Sequence, residues 1–254
     1  MTRPSLSIVT AVRNGAATIA DSLESLRAQT VRVEHIVIDG CSTDRTLEIV
    51  RQLSPAALIL SEPDQGIYDA MNKGIALATG EVVGLLNSDD RYAHEHVLEK
   101  VARVFENPEI EACYGDLVYV AAPKDRVFRY WKAGSLSPAG FYRGWMPPHP
   151  TFFVRRAVYG RLGGFDLSLG SAADYELMLR FLLKHGLCTT YIPEVLVRMR
   201  IGGASNAGLL SRIAANRMDR RAWTVNGMSP RPWTLLCKPL RKIHQYFASP
   251  PPVY

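Results

Sequence analysis

The chain has 254 residues, of which 47% are hydrophobic and 21% charged, with a formal net charge of +6, as is usual for a globular protein with a sizeable core. It contains neither an apolar run of the roughly 20 residues needed to span a bilayer nor an apolar secretion leader, so we expect a cytoplasmic location. The four cysteines are widely spaced without a CxxC pair, which argues against a zinc site or a disulfide framework.

Strands and helices alternate over the first 60 residues. Apolar periodicity predicts strands at Leu6–Val12, Val33–Ile38 and Ala57–Leu60, and helices at Thr18–Gln29 and Thr46–Leu53. This alternation predicts an α/β protein whose mostly parallel sheet is flanked by helices and has right-handed crossovers. The first strand is followed by neither a GxGxxG motif nor a P-loop, which disfavours a dinucleotide-binding fold.

The stretch Ser61–Asp90 organises the rest of the chain. A helix with one apolar face begins at Ile67 and ends before Gly80, and the short apolar run Val82–Leu86 predicts a buried strand. The acidic tip, residues 87–90 (NSDD), comes directly after this strand, where ligands bind in open α/β sheets. Its two adjacent carboxylates suit a divalent metal with a phosphate ligand. A solvated, Asp-rich turn is the alternative interpretation.

The second half of the chain mixes strands, loops and helices. The predicted elements are a helix at Val97–Phe105, antiparallel strands at Ala112–Val120 and Arg126–Trp131, an aromatic loop at 140–153, helices at Arg155–Leu162 and Asp174–Lys184, and an extended segment at Thr189–Arg200. Residues 202–206 (GGASN) predict a flexible loop.

The last quarter of the chain is strongly basic. From Arg198 onward there are ten Lys or Arg residues and one acid, Asp219, whereas the first 197 residues carry a net charge of −3. Helices are predicted at Leu209–Val225 and Trp233–Phe247, with Pro239 bending or breaking the second. The basic, amphipathic second helix suggests an anionic membrane surface as partner. Packing of its apolar side on the rest of the protein is the alternative.

Several motifs, in order and in register, resemble glycosyltransferase family 2, in the branch that builds bacterial surface polysaccharides and glycolipids. They are SIVTAVRN, HIVIDGCSTDRT, SEPDQGIYDAMNKGIALATGE, LLNSDD, HPTFF, GGFD, AADYELMLR and GGAS, within residues 5–206. The resemblance implies a GT-A fold over 1–206, with a nucleotide-binding half at about 1–91 and an acceptor half at about 92–206. Residues 207–254 are then a basic helical extension.

The resemblance assigns a nucleotide-sugar site. Thr10, Arg13 and Asn14 match the first-strand motif of the nucleotide pocket, Asp39 matches the acid that reads a uracil or thymine base, and Asp69, Asn72 and Lys73 match the helix beside the nucleotide. In the acidic tip, Asp89 matches a direct ligand of Mn²⁺ or Mg²⁺, with Ser88 and Asp90 beside it. Asn87 replaces the first acid of the commoner motif and adds no charge, so weaker metal binding is expected. Cys41 stands where the family usually has glycine.

Asp174 matches the family's catalytic base, although Ala173 precedes it where Glu is usual. The alternative is that Asp174 favours the start of a helix that Ser171 caps. His149, Asp166, Gly203 and Ser205 are candidates for acceptor or phosphate contacts; a loop histidine and a tight turn explain the first two equally well.

The sequence therefore predicts an inverting, metal-dependent glycosyltransferase of the hexosyltransferase type. It would move a sugar from a UDP- or dTDP-linked donor to a glycan or lipid-linked acceptor in cell-envelope synthesis, at the inner face of the membrane. A nucleotidyltransferase would need a basic phosphate loop after the first strand, where Arg13 is the one positive group. A non-catalytic binding module with a nucleic-acid-binding tail is the third alternative; no nucleic-acid partner is expected.

Overall fold

A computed structural model describes residues 3–121, 126–201 and 209–247, with the side chains of 209–215 left undescribed. The strands in these ranges join one sheet. They are β1 (Leu6–Val12), β2 (Glu34–Asp39), β3 (Leu58–Ser61), β4 (Val82–Leu85), β5 (Asp90–Tyr92), β6 (Ala112–Ala121), β7 (Arg126–Trp131), β8 (Phe153–Arg155) and β9 (Thr189–Arg200).

Helices flank this sheet. They are α1 (Ile19–Arg27), α2 (Thr46–Leu53), α3 (Ile67–Leu77), α4 (Val97–Val104), α5 (Pro138–Phe141), α6 (Arg156–Leu162), α7 (Ala173–Met178), α8 (Leu209–Val225) and α9 (Thr234–Leu240). α7 continues as a π-helix, Leu179–Lys184, and short 3₁₀ turns lie at His149–Thr151, Leu167–Ala172 and His244–Tyr246. None of the helices in the described ranges is long and apolar enough to cross a membrane.

The sheet has two parts of different character. Its first part is parallel, in the order β3-β2-β1-β4, and the second continues through β8, β6, β9 and β5, with β7 added beside β6. β6 pairs antiparallel with β7 and β8 but parallel with β9. The predicted α/β class is confirmed, and so is the antiparallel pairing predicted for Ala112–Val120 and Arg126–Trp131.

The core of the first part depends on close packing between α3 and β1. Every residue of β1 is buried, as its continuous apolar sequence predicts for a central parallel strand. Gly74 of α3 faces Val9 with no room for a Cβ, so the helix lies directly on the strand. This packing fixes the position of the loop that precedes α3 relative to the ends of β1 and β4.

Two local predictions need correction. Ser171 does not cap the helix of Asp174: the helix begins at Ala173, its N-cap is Ala172, and no side chain supplies the cap. The predicted helix over Trp233–Phe247 is one short helix, α9, with Pro239 inside it, followed by turns and a 3₁₀ turn. Proline lacks an amide hydrogen and so limits how far α9 can extend, as the sequence indicated.

A buried histidine lies between β1 and α2. His35 is 7% exposed, and its ring nitrogens lie 3.2 Å from Thr10 Oγ1 and 2.8 Å from Ser54 Oγ. Burial lowers the pKa of His35 to about 4. One ring nitrogen can donate and the other accept only in the neutral imidazole, so this arrangement fits the uncharged form.

This histidine makes stability depend on pH. Between pH 6.5 and 4, His35 binds a proton in the unfolded chain but not in the folded protein. The free energy of unfolding therefore falls as the pH falls through this window, and it is fully regained above pH 6.5. From pH 7 to pH 4.5 we expect His35 to account for a loss of about 2–3 kcal/mol, measured by chemical denaturation. His35→Gln should remove that part of the pH dependence. An unchanged slope in the variant would contradict the assignment.

Candidate active site

The carboxyl ends of β1 and β2 form a rim held together by hydrogen bonds. The side-chain Oδ1 of Asn14 accepts from the Thr43 backbone amide at 2.8 Å. The backbone amide of Asn14, which has φ 51°, donates to Ser42 Oγ at 2.7 Å. Asp39 is fully buried and accepts from the Ser42 amide at 3.0 Å and from Ser61 Oγ at 2.7 Å. The rim is thus ordered by its own contacts, with Asp39 beneath it.

Other predicted members of the nucleotide site take different positions. Arg13 is exposed at the rim, whereas the side chain of Thr10 is buried against His35. Cys41 has φ 57°, a conformation that glycine adopts without strain and other residues adopt less often, which agrees with the glycine expected at this position.

The acidic tip splits into one accessible and one buried carboxylate. Asp89 lines a cavity, whereas Asp90 begins β5, is 1% exposed and accepts from Asn87 Nδ2 at 2.8 Å. Burial, and then the neighbouring Asp89 charge, raise the pKa of Asp90 to about 7. Buried oxygens Asn87 Oδ1 and Asp90 Oδ1 have no hydrogen-bond partner among the described residues.

One cavity of about 440 Å³ brings together residues from both halves of the chain. Four of the predicted site residues line it: Asn87, Asp89, His149 and Asp174. They come from the tip of β4, the 3₁₀ turn at 149–151 and the first turn of α7; His149 and Asp174 lie 60 and 85 positions beyond Asp89. The sequence predicted each of them separately, and the fold places them around one space.

Asp174 is half-buried at this cavity, and its Oδ1 accepts from the Tyr175 amide at 2.7 Å. Tyr68 of α3 lines the same cavity. Burial, and then the Asp174 carboxylate, raise the pKa of Tyr68, so its hydroxyl stays protonated beside that acid. Tyr68 is a site residue that sequence reasoning missed, although it lies within the family motif next to Asp69.

His149 lines the cavity beside Phe165, with a ring-centroid distance of 5.5 Å and a T-shaped geometry. Burial lowers the pKa of His149, and the charge of Asp174 offsets this only in part. Its Nε2 is buried without a hydrogen-bond partner among the described residues. A neutral imidazole with one unpaired nitrogen is available to a bound ligand.

The remaining predicted residues make structural contacts. The Asn72 amide group is engaged at both ends by the backbone of Phe165, and Asp166 accepts from the Ser168 amide at 2.9 Å, as in a tight turn. Lys73 Nζ lies 2.8 Å from Glu62 and 3.4 Å from Asp69. Ser88 lies at the tip, half-buried and close to the first-strand turn. Gly203 and Ser205 lie outside the described residues.

The C-terminal segment 233–247 forms one wall of the cavity, which the sequence did not predict. Its polar residues face inward: Lys238, Arg241, Lys242, His244 and Gln245 line the cavity. Thr234 Oγ1 donates to the Tyr142 carbonyl at 2.7 Å, and Lys238 Nζ lies 2.8 Å from both Asp219 oxygens and 3.7 Å from the Tyr175 ring centroid. Gly144, with φ 74°, has no room for a Cβ because the backbone of Lys238 lies against it.

The apolar side of the same segment faces outward. Five of its large side chains are exposed: Trp233 (48%), Leu236 (65%), Leu240 (61%), Ile243 (54%) and Phe247 (84%). We refer to these five as the apolar stripe. These five side chains do not pack on the described part of the protein, contrary to the packing alternative, whereas Leu235 of the same segment is buried.

Comparison with known proteins gives the family. The profile described as Glycosyl transferase family 2 matches residues 7–164. A Mycobacterium bovis protein named PGL/p-HBAD biosynthesis glycosyltransferase is 32% identical over 213 residues, covering 81% of each chain. An uncharacterized glycosyltransferase of Haemophilus influenzae is 27% identical over 209 residues, covering 75% of this chain and 66% of the relative.

Solved structures share the fold. S. aureus TarS 1-349 in complex with UDP-GlcNAc superposes with a TM-score of 0.64 at 18% identity, over 87% of this chain and 66% of that one. The mannosyltransferase PcManGT from Pyrobaculum calidifontis, in complex with GDP-Man and Mn²⁺, gives 0.65 at 18% identity, over 94% of this chain and 70% of that one. The expected GT-A fold is confirmed. Because the family profile spans more than half of the chain and the mycobacterial relative matches most of both proteins, the chain belongs to glycosyltransferase family 2.

Proposed function

We propose that this glycosyltransferase is inverting and metal-dependent, and that it moves a sugar from a nucleotide-sugar to an acceptor hydroxyl held at Asp174. The observation that carries the proposal is that Asp89 and Asp174 line one cavity. Inverting transfer needs a base on the acceptor side of the sugar and charge stabilisation on the leaving-group side. Asp174 would serve as the base, and Asp89, from the other half of the chain, would hold the cation that supplies the charge stabilisation.

The acidic tip fits a divalent cation. Mn²⁺ and Mg²⁺ take oxygen ligands, and Mg²⁺ is usually held by one or two carboxylates together with substrate phosphates. Asp89 would supply the carboxylate, and Asn87 Oδ1 is an unpaired oxygen beside it. The described residues contain no group of three or more His, Cys, Asp or Glu that could hold a metal alone, which agrees with a site completed by the donor's diphosphate. A bound cation would stabilise the charge that develops on the diphosphate.

The protein's own groups divide the remaining work. Asp39 and the rim around Asn14 would hold the nucleotide, and the pyrimidine preference rests on the match of Asp39 to the base-reading acid. Asp174 would accept the proton of the attacking hydroxyl, and the Tyr68 hydroxyl, which stays protonated, would orient that carboxylate by hydrogen bonding. The solved structures of TarS and PcManGT, which share this fold, are complexes with UDP-GlcNAc and GDP-Man respectively. This supports a nucleotide-sugar donor.

The acceptor side suits a glycolipid. The mycobacterial relative is named for PGL/p-HBAD biosynthesis, and the apolar stripe lies on the outer side of the segment that walls the cavity. The apolar stripe, in the basic last quarter of the chain, suits an anionic membrane surface, where each basic group near the lipid contributes about 1 kcal/mol. We infer a cytoplasmic enzyme that attaches peripherally to the membrane and acts in cell-envelope synthesis.

Replacement of the accessible acid should abolish metal dependence. We expect Asp89→Asn to lose Mn²⁺-stimulated donor turnover and Mn²⁺-dependent UDP binding, with little change in the free energy of unfolding, since it relieves repulsion with Asp90. Isothermal titration and donor-turnover assays would measure this. Glu109→Gln, at an exposed acid outside the cavity lining, is the control. Full activity of Asp89→Asn, or of the unaltered enzyme in excess chelator, would refute the metal site.

Replacement of the base should separate catalysis from binding. Asp174→Asn keeps the side-chain shape but cannot take the proton, so kcat should fall by about 10²–10⁴-fold while donor affinity stays within about twofold. Ser171→Ala, at an exposed neighbour that makes no cap, should change the free energy of unfolding by no more than about 0.5 kcal/mol. Glu109→Gln, outside the cavity lining, should leave kcat unchanged. A loss of stability with normal kcat in Asp174→Asn would instead favour its role at the helix start.

Removal of the apolar stripe should release the protein from anionic membranes. The triple variant Leu236→Gln, Leu240→Gln, Phe247→Ser should lower the fraction that sediments with phosphatidylglycerol vesicles at least tenfold, because these exposed side chains lose the gain from burial in lipid. Leu58→Gln, at an apolar residue exposed elsewhere, is the matched control. Failure of the unaltered protein to sediment at low salt would overturn membrane attachment.

A further inference from the structure

Phe165 packs against two polar residues of the cavity from a position behind them. The side chain is 5% exposed and does not belong to the described residues that line the cavity. Its ring centroid lies 5.1 Å from that of Tyr68, in a tilted arrangement, and 5.5 Å from that of His149, in a T-shaped one. Both separations are typical of favourable aromatic contacts. Phe165 is therefore a buried ring shared by two cavity residues that come from distant parts of the chain.

The helix α3 holds Phe165 at two points that lie one helical turn apart. Tyr68 and Asn72 are four positions apart and so lie on the same face of the helix. Tyr68 contacts the Phe165 ring, whereas the amide group of Asn72 bonds the Phe165 backbone in both directions, at 2.9 Å and 2.8 Å. A Cβ at the preceding Gly164 would lie 2.3 Å from Asn72 Oδ1, so this close approach requires glycine. The ring and the backbone of Phe165 are thus fixed together relative to α3.

The two residues that Phe165 contacts share the cavity with the proposed base. Tyr68, His149 and Asp174 all line it. Burial first, and then the Asp174 charge, raise the pKa of Tyr68, whose hydroxyl therefore keeps the proton that it can donate to that carboxylate. His149 Nε2 is buried without a hydrogen-bond partner among the described residues. Groups of this kind act in a reaction only when they are held to within about 0.5 Å of the productive geometry.

We propose that Phe165 is a positioning residue for the transfer step, which holds the Tyr68 hydroxyl toward Asp174 and His149 Nε2 toward a hydroxyl of the substrate. The inference rests on the proposed function, because it takes Asp174 to be the base. Phe165 has no polar side-chain atom, so its effect on the reaction passes through the two rings that it contacts.

The proposed role requires an aromatic ring at position 165 and not just an apolar side chain. Leucine would fill much of the same volume, but it offers neither a flat face nor a ring edge to Tyr68 and His149, so both rings would gain rotational freedom. A displacement of about 1 Å at reacting groups can cost as much as 10²-fold in rate. Loss of core packing alone would lower stability without a selective effect on the chemical step.

The first test compares Phe165→Leu with Phe105→Leu, at a buried phenylalanine of another core cluster outside the cavity lining. Turnover is measured in Mn²⁺ with water as the acceptor, using the UDP- or dTDP-linked hexose that the unaltered protein hydrolyses fastest. Both variants should lower Tm by a similar few degrees. Phe165→Leu alone should lower kcat, by about 10–100-fold, while the donor KM and the Kd for UDP stay within about twofold.

Double-mutant cycles test whether Phe165 acts through its two partners. In the backgrounds Tyr68→Phe and His149→Gln, Phe165→Leu should cost at least about threefold less in kcat than in the unaltered protein, because part of what it positions is already lost. Asn72→Ala, which releases the Phe165 backbone, should also lower kcat, so it keeps the test valid if Phe165→Leu fails to fold. Losses that multiply independently in both backgrounds overturn the proposal.

A magnetic resonance measurement makes the result independent of the substrate. The ring resonances of His149, assigned from their absence in His149→Gln, should move in Phe165→Leu more than those of any other histidine, and they should stay in place in Phe105→Leu. Unmoved His149 resonances, or equal kcat values in Phe165→Leu and Phe105→Leu, overturn the positioning role. Failure of the unaltered protein to bind UDP or to hydrolyse any of these donors refutes the proposed function, and with it this inference.

Discussion

One pair of hydrogen bonds holds α3 of the first half of the chain against the turn at 163–166 of the second half, beside the cavity. Asn72 of α3 donates to the Phe165 carbonyl at 2.9 Å and accepts from the Phe165 amide at 2.8 Å. A side-chain amide that meets a backbone residue in both directions fixes its distance and its orientation together. The pair is worth about 1–3 kcal/mol, modest beside the core, but it joins residues 93 positions apart.

A buried ion pair continues this connection into the helices behind the cavity. Arg180 donates to the Gly164 carbonyl at 2.6 Å and pairs with Glu176, which is 3% exposed and also accepts from Asn226 Nδ2 at 3.0 Å. The turn at 163–166 is therefore held from α3 on one side and from the α7 region and α8 on the other. These contacts position Asp174 at the start of α7, although none of them involves its carboxylate.

The sequence predicted where helices and strands begin and end better than it predicted which distant residues each one contacts. Leu6–Val12, Thr46–Leu53, Thr189–Arg200 and Leu209–Val225 match the structure residue for residue, because their apolar patterns and flanking residues define both ends. The expectation that Asp89 and Asp174 share one site came from the resemblance to the family and not from apolar periodicity. Local pattern fixes which residues share a helix face but not which distant surface that face meets.

Three residues show where local patterns fail. Asn72 lies on a polar helix face in the segment predicted to lie beside the nucleotide, yet its partner is a peptide group from the other half of the chain. Asp90 looks equivalent to Asp89 in sequence, but its strand pairing with Met199 buries it. Lys238 reads as part of a membrane-facing basic helix, whereas Asp219 and the Tyr175 ring draw it inward. In each case a long-range partner decides the role.

The wall contributed by the C-terminal segment has a consequence for synthesis on the ribosome. The rim around Asn14 and Asp39 uses residues up to about position 90, and these strands and helices pair with near neighbours in the chain. The cavity is complete only after residue 245 has left the ribosome, about 10–30 seconds later at ordinary translation rates. Once Trp131 and Trp145 have been made, the nascent chain has aromatic residues of the cavity lining but lacks the C-terminal wall. Chaperone demand in this protein should therefore concentrate between the synthesis of Trp145 and that of residue 245.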